Sequence, residues 1–159
     1  MLEVEINIPG RGIINIKNLV LDYNGTIACD GKVIPSIKEK IEAIHKKGIR
    51  VHVVTADTHG TARNQCADMP IEVQIFDHSN AAQYKKEIVE KLGAEQCACI
   101  GNGFNDGQMF EACSLSIIVI GEEGCSAKSL MKADIVCKSI EGAFDLILKP
   151  SRIIATLRG

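Results

Sequence analysis

Tryptophan is absent, and aromatic residues make up only 4% of the 159-residue chain. That argues against a platform for stacking nucleic-acid bases and leaves a core to be built from Ile, Val, Leu and Ala. No charge of either sign dominates: the formal net charge is −2, so no basic surface invites nucleic acid. No apolar run is long enough for a membrane-spanning helix, which needs about 18 residues or more. The N-terminal stretch MLEVEINIPG interleaves acidic residues and does not read as a signal peptide. The seven cysteines include no Cys-x-x-Cys pair. An odd set scattered through apparent strands and helices reads as reduced thiols of a cytoplasmic protein. His45, His52, His59 and His78 show no metal-ligand spacing.

What is present is an ordinary globular composition, 46% hydrophobic and 24% charged, in a length that suits one domain over residues 1–159. Residues 2–8 alternate, with Leu2, Val4, Ile6 and Ile8 on one face. A turn at 9–12 and a return over 13–16 complete an N-terminal β-hairpin extension (1–17), expected at an edge. Beyond it, apolar β-branched runs alternate with helical patterns. Strands are expected at 18–22, 49–55, 71–76, 97–101 and 115–120, with a short one at 134–137. Helices are expected from Ser36 to the stop at Gly48, then at 58–67, 80–92, 105–113, 126–132 and 140–148. Ser36-x-x-Glu39 has the form of a capping box. Asn80 is a second candidate cap, and Asp30-Gly31 suits a small hairpin flap. Repeated βαβ units at this spacing imply an α/β fold, with a mostly parallel sheet of about five core strands and helices on both faces.

Right-handed crossovers put the strand C-termini on one edge of such a sheet, where open α/β folds bind ligands. Four polar clusters fall there: Asp22 to Thr26, Thr55, Lys85 at a helix start, and Asn102 to Asp106. Taken alone, Asn24-Gly25 between apolar runs is also a hairpin turn, and Thr55 reflects β propensity. Taken together they suit one chemistry. A carboxylate at a strand end can attack a phosphoryl group, provided a cation such as Mg²⁺ offsets their repulsion. Asp22, Asn24 through its carbonyl, and Asn102 or Asp106 are the candidate metal ligands. Backbone N–H groups over Asn24, Gly25 and Thr26 offer an anion-binding concavity. Thr55, with Ala56 beside it, and Lys85 would hold phosphate oxygens. Gly101 to Gly107 misses the dinucleotide-binding fingerprint by one residue. His59 and His78 fall near the mouth of the site.

This order of motifs resembles the haloacid dehalogenase (HAD) superfamily of phosphotransferases. Its Asp-x-Asp-Gly-Thr motif is matched by Asp22-Tyr23-Asn24-Gly25-Thr26, and its strand-ending Ser or Thr by Thr55. Its Gly-Asp-Gly-x-Asn-Asp loop is matched by Gly101 to Asp106. Within the superfamily the likeness is to the phosphorylation domain of P-type ATPases, through Lys85-Lys86-Glu87-Ile88-Val89 and Lys132-Ala133-Asp134-Ile135-Val136. Lys85 is the expected phosphate-site lysine, with Lys86 as the fallback. The resemblance implies a HAD-like Rossmannoid three-layer fold without a cap domain, and a Mg²⁺-dependent aspartyl phosphate on Asp22. Only 28 residues separate Thr26 from Thr55, so the pumps' nucleotide-binding insertion is missing and ATP is not implied.

Two departures qualify the expected activity. Asn24 stands where HAD phosphatases carry their general acid and base, and an amide cannot shuttle a proton. Asn102 stands where the family has its main metal-binding aspartate. The expectation is a soluble, stand-alone phosphohydrolase or phosphotransferase whose phosphoenzyme hydrolyses slowly. The alternative is a catalytically weak module of the same fold that binds phosphate or a protein. Expected partners are a small phosphorylated substrate or a phosphoprotein, with no nucleic acid and no membrane. An uncapped site also suits coverage by a neighbouring subunit, hence a homo-oligomer with the hairpin as a candidate contact.

Overall fold

The computed structural model describes residues 4–57, 60–76 and 78–159, and of His78 only the backbone. Leu2 and Glu3 of the expected first strand, the start of the expected 58–67 helix, and the side chains of His59 and His78 lie outside the described residues.

Six strands form one parallel sheet: β3 (Asn18–Leu21), β6 (Arg50–Thr55), β7 (Ile71–Ile75), β8 (Cys97–Gly101), β9 (Leu115–Val119) and β10 (Ile135–Cys137), in the order β10-β9-β8-β3-β6-β7. Six strands stand where about five core strands are expected. The sixth is the three-residue β10, which pairs with β9 through Ile117, Ile118 and Val119. β3 lies between β6 and β8, and all four of its residues are buried. That central place explains its run of apolar residues, since a parallel strand covered on both faces cannot alternate with polar ones.

Successive residues of each strand serve opposite faces. Leu19 and Leu21 join a core with Ala98 and Ile100 beneath α1 (Lys38–Lys46), α6 (Ile140–Leu148) and α7 (Ser151–Leu157). Val20, Val54, Cys97 and Cys99 join a second core, with Ile88 and Val89 of α3 (Ala81–Leu92) and Met109 and Phe110 of α4 (Gly107–Ala112). The Cys97 and Cys99 thiols therefore share a face, as their spacing predicts. Burial pushes Cys97 up to about 12 and Cys99 well above the usual thiol range. These cysteines behave as small apolar residues.

Three local expectations change. The hairpin of β1 (Val4–Ile8) and β2 (Gly12–Ile16) is not an edge addition to the large sheet. It forms its own two-stranded sheet, and Val4, Ile6, Ile8 and Ile16 enter the first core beside Ile153 of α7. Its alternating face thus covers a layer instead of lengthening one. Ser36 does not close a capping box. A 3₁₀ turn at Pro35–Ile37 precedes α1, and the Ser36 hydroxyl donates to Glu141 Oε1 at 3.0 Å. Asn80 holds the N-cap position of α3 without a side-chain bond. The flap is formed as expected, by β4 (Ala28–Cys29) and β5 (Lys32–Val33). It is tied to the loop after β9 by the Asp30 N–H, which donates to Glu123 Oε2 at 3.1 Å. Two short helices, α2 (Ala62–Gln65) and α5 (Ala127–Leu130), complete the α-helices among the described residues. No helix among the described residues is long and apolar enough to cross a membrane.

Candidate active site

The C-terminal ends of β3, β6 and β8 meet at a cavity of about 340 Å³ lined by Asp22, Asn24, Thr55, Ala56, Lys85 and Asn102. Six of the residues expected from sequence are thereby brought together, and Gly103, Phe104 and Asn105 complete the wall. Asp22 follows β3 directly, its N–H donating to the Ile100 carbonyl of the neighbouring strand at 3.0 Å. The carboxylate is thus placed by backbone register and not by a mobile loop.

Lys85 identifies itself by its burial. It is 1% exposed, on the first turns of α3, and its Nζ donates to Asp22 Oδ1 (2.8 Å), Asp106 Oδ1 (2.7 Å) and Asn105 Oδ1 (3.0 Å). An ammonium has three N–H groups, and all are used. Lys86 lines a different surface hollow beside Gln108 and Glu111, so the two lysines separate cleanly. Burial alone pulls the Lys85 ammonium down, but the Asp106 and Asp22 carboxylates outweigh it and raise it above its ordinary value. Burial is also the largest influence on Asp22. It raises the carboxyl, Asp106 adds to the rise, and Lys85 offsets part of it, leaving Asp22 at about 7.

Asp106 serves the loop as much as the lysine. Its Oδ2 accepts the N–H groups of Asn102 (3.1 Å) and Gly103 (2.9 Å). With Lys85 on the other oxygen, Asp106 is a support for the cation and the loop, and it does not line the cavity. Gly101 permits this closure, because a Cβ there would collide with the Asp106 carboxylate.

Asn102 and Gly25 are similarly interlocked. Asn102 Nδ2 donates to the Gly124 carbonyl at 3.1 Å, which directs Oδ1 to the Thr26 hydroxyl at 3.3 Å. Gly25 has φ +78°, and a Cβ there would run into the Asn102 amide. The expected anion cradle over 24–26 is only partly available. The Gly25 N–H donates to the Ala28 carbonyl (2.8 Å) and the Thr26 N–H to the Tyr23 carbonyl (3.2 Å), so both amides are spent in the turn. Gly25 and Thr26 instead wall a neighbouring cavity of about 450 Å³ under the flap. Thr55 Oγ1 accepts the Asp57 N–H at 2.9 Å, which leaves its hydroxyl proton for a phosphate oxygen.

The donor set suits a hard divalent cation in kind. Asp22 Oδ2 and Asn102 Oδ1 converge on the Thr26 hydroxyl at 3.4 and 3.3 Å, and Asn24 Oδ1 is buried without a partner. All three are oxygens, as Mg²⁺ prefers. Only Asp22 brings a formal charge, since both Asp106 oxygens are engaged.

Two residues of the site were not singled out from sequence. Asn105 belongs to the matched loop, but its contact with Lys85 depends on how the 3₁₀ turn at Phe104–Asp106 folds. Phe104 is 69% exposed at the cavity wall. Its signal was the scarcity of aromatics, which makes an exposed one conspicuous.

Known proteins resemble this chain in sequence and in fold. A family model for haloacid dehalogenase-like hydrolases matches residues 5–114. An uncharacterised protein of Methanocaldococcus jannaschii is 41% identical over 78 residues, 46% of this chain and 84% of that one. A copper-transporting ATPase of Schizosaccharomyces pombe is 25% identical over 116 residues, 72% of this chain but only 12% of the ATPase. Among solved structures, 3-deoxy-D-manno-octulosonate 8-phosphate phosphatase of Moraxella catarrhalis, in complex with magnesium, phosphate and its sugar acid, superposes with a TM-score of 0.70 at 18% identity. That match covers 90% of this chain and 94% of the phosphatase, and at such identity it speaks for the fold. The chain belongs to the haloacid dehalogenase-like hydrolase family.

Proposed function

We propose that the protein is a Mg²⁺-dependent phosphohydrolase or phosphotransferase that forms an aspartyl phosphate on Asp22 and releases it slowly. The observation that carries the reading is the buried Lys85 ammonium, 2.8 Å from a carboxylate at the end of the central strand. A buried lysine shared by two carboxylates is costly to maintain as mere scaffolding. Beside a nucleophilic carboxylate it supplies the positive charge that a phosphoryl group requires.

Asp22 is the nucleophile, its Oδ2 held only by the long contact from the Thr26 hydroxyl at 3.4 Å. Lys85 neutralises phosphoryl charge, and the Thr55 hydroxyl donates to a phosphoryl oxygen. Asp106 keeps Lys85 in place. Mg²⁺, held by Asp22, Asn24 and Asn102, would offset the repulsion between carboxylate and phosphate and polarise the phosphoryl group. The magnesium and phosphate of the Moraxella phosphatase lend support to that choice of ion. Asn24 cannot act as a general base for hydrolysis of the acyl phosphate. The slow second step follows, with a deficit of about 10²–10⁴-fold relative to a site with such a base.

Turnover of acetyl phosphate and p-nitrophenyl phosphate with Mg²⁺ tests the reading. Wild type should be active, Asp22→Asn inactive, and Asn24→Asp faster in steady state. Equal inactivity of wild type and Asp22→Asn would favour the alternative, a phosphate- or protein-binding module of the same fold.

A further inference from the structure

We infer that Phe104 sets the substrate class of this site: phosphoryl compounds that carry a flat apolar group, an aromatic ring above all, next to the phosphate. The inference rests on the phosphoryl-site reading of Asp22 and Lys85 and adds to it the chemistry of the rest of the substrate.

The chain has four phenylalanines. Three are covered: Phe144 is fully buried, and Phe110 and Phe76 are 2% and 8% exposed, with Phe76 stacked on Tyr84 at 4.8 Å between ring centroids. Phe104 is 69% exposed, in the wall that also holds Asp22 and Lys85. A single exposed apolar side chain is ordinary on a protein surface. This one is set apart by its place and by how firmly its backbone is held. Its carbonyl accepts the hydroxyl of Ser129, a residue 1% exposed, at 3.2 Å. On one side Gly103 donates its N–H to Asp106 Oδ2 and accepts the Asp106 N–H at 3.1 Å. On the other, Asn105 Oδ1 accepts from Lys85 Nζ at 3.0 Å. The turn that helps to anchor the lysine therefore also presents the ring.

The wall divides by chemistry. Asp22, Asn24, Thr55, Lys85, Asn102 and Asn105 are polar, while Ala56 and Phe104 are apolar. The polar groups suit a phosphoryl moiety. A cavity of about 340 Å³ also has room for part of whatever carries that moiety. Ligand sites commonly join a few orienting polar groups to an apolar or aromatic wall. A flat apolar group laid against Phe104 removes both surfaces from water, and a second ring adds an offset-stacked or edge-to-face attraction. A hydroxylated carrier such as a sugar gains less, because its hydroxyls would leave water for a hydrocarbon face.

The test is calorimetric binding, with Mg²⁺ present, of methylphosphonate and benzylphosphonate, the second having a methylene in place of the bridging oxygen of phenyl phosphate. Wild type, Phe104→Ala and Phe104→Trp are compared. The readout is the ratio of the two affinities, since damage to the turn weakens both ligands together and leaves the ratio alone. Wild type should prefer benzylphosphonate by about 10-fold or more. Phe104→Ala should lower that ratio by about 5-fold or more, and Phe104→Trp should restore it. An unchanged ratio in Phe104→Ala, or a wild type that binds methylphosphonate equally well, would overturn the inference and leave Asp22 and Lys85 in their roles. Binding of neither phosphonate by wild type, together with equal turnover of acetyl phosphate by wild type and Asp22→Asn, would remove the phosphoryl-site reading and this inference with it.

Discussion

Asp106 holds Lys85 with one carboxylate oxygen and the backbone of its own loop with the other. Nζ lies 2.7 Å from Oδ1, while Oδ2 accepts the N–H groups of Asn102 and Gly103. The cation that faces Asp22 and the loop that carries Asn102 are therefore positioned by a single buried side chain.

Removing the lysine should be more harmful than its single charge suggests. Lys85→Met leaves Asp22 and Asp106 buried without their shared cation, at a cost of about 3–5 kcal/mol. Denaturant melts at pH 8 should show this loss. Adding Asp22→Asn to Lys85→Met should recover part of it, because one of the two stranded charges is then gone. A double variant no more stable than Lys85→Met alone would contradict the pairing.

Asp22 should trade stability for function. Its carboxyl is raised from 3.8 to about 7 in the folded chain. A raised value means that the favourable contribution is full below about pH 4 and is lost as pH rises through 7. In EDTA, Asp22→Asn should match wild type near pH 4 and exceed it at pH 8 by on the order of 1–3 kcal/mol, or several degrees of melting temperature. Mg²⁺ should then stabilise wild type and not the variant. Melting curves across this pH range, with and without Mg²⁺, read both effects.

Gly25→Ala should damage the site from outside its chemistry. The added methyl would occupy the space of the Asn102 amide, on a backbone at φ +78°. Alanine there is strained by about 1 kcal/mol or more before any clash is counted. Turnover of acetyl phosphate should drop by at least about 10-fold if Asn102 is displaced from its place, as misplacement of a positioning group commonly does. Unchanged turnover would mean that Asn102 is not needed where it stands.

His52 should make the fold acid-sensitive far from the catalytic edge. It is fully buried near the opposite end of β6, with Nε2 3.0 Å from Asn18 Oδ1. Burial lowers its pKa, Glu72 opposes the fall, and Arg50 adds to it. For a lowered value, the stability is full above the unfolded value of about 6.5 and declines as pH falls below it. Chemical denaturation of wild type and His52→Leu at pH 7.5 and 5.5 should show a smaller loss on acidification in the variant.

The central strands and α6 were legible because their signals are local. Cys97–Gly101 and Ile140–Leu148 fall at the expected residues, the first a short apolar run stopped by glycine, the second a helical stripe between Ser139 and Pro150. Asp22, Thr55 and Lys85 were legible as a set, since topology alone carries strand ends and a helix start to one edge. What escaped depends on partners distant in sequence. Ser36 bonds to Glu141 across the fold and not to its own helix. The hairpin's apolar face found a place over the core only because α7 was there to meet it. None of these can be read from spacing along the chain.

The most direct measurement is to expose the protein to acetyl phosphate and Mg²⁺, quench in acid, and map the modification by mass spectrometry. Intact mass taken beforehand excludes samples in which Asn24 or Asn102, each followed by glycine, has deamidated. The account predicts one phosphoryl group, released by hydroxylamine, on the peptide containing Asp22, and none in Asp22→Asn. Absence of the adduct in wild type, or the same adduct in Asp22→Asn, would contradict it.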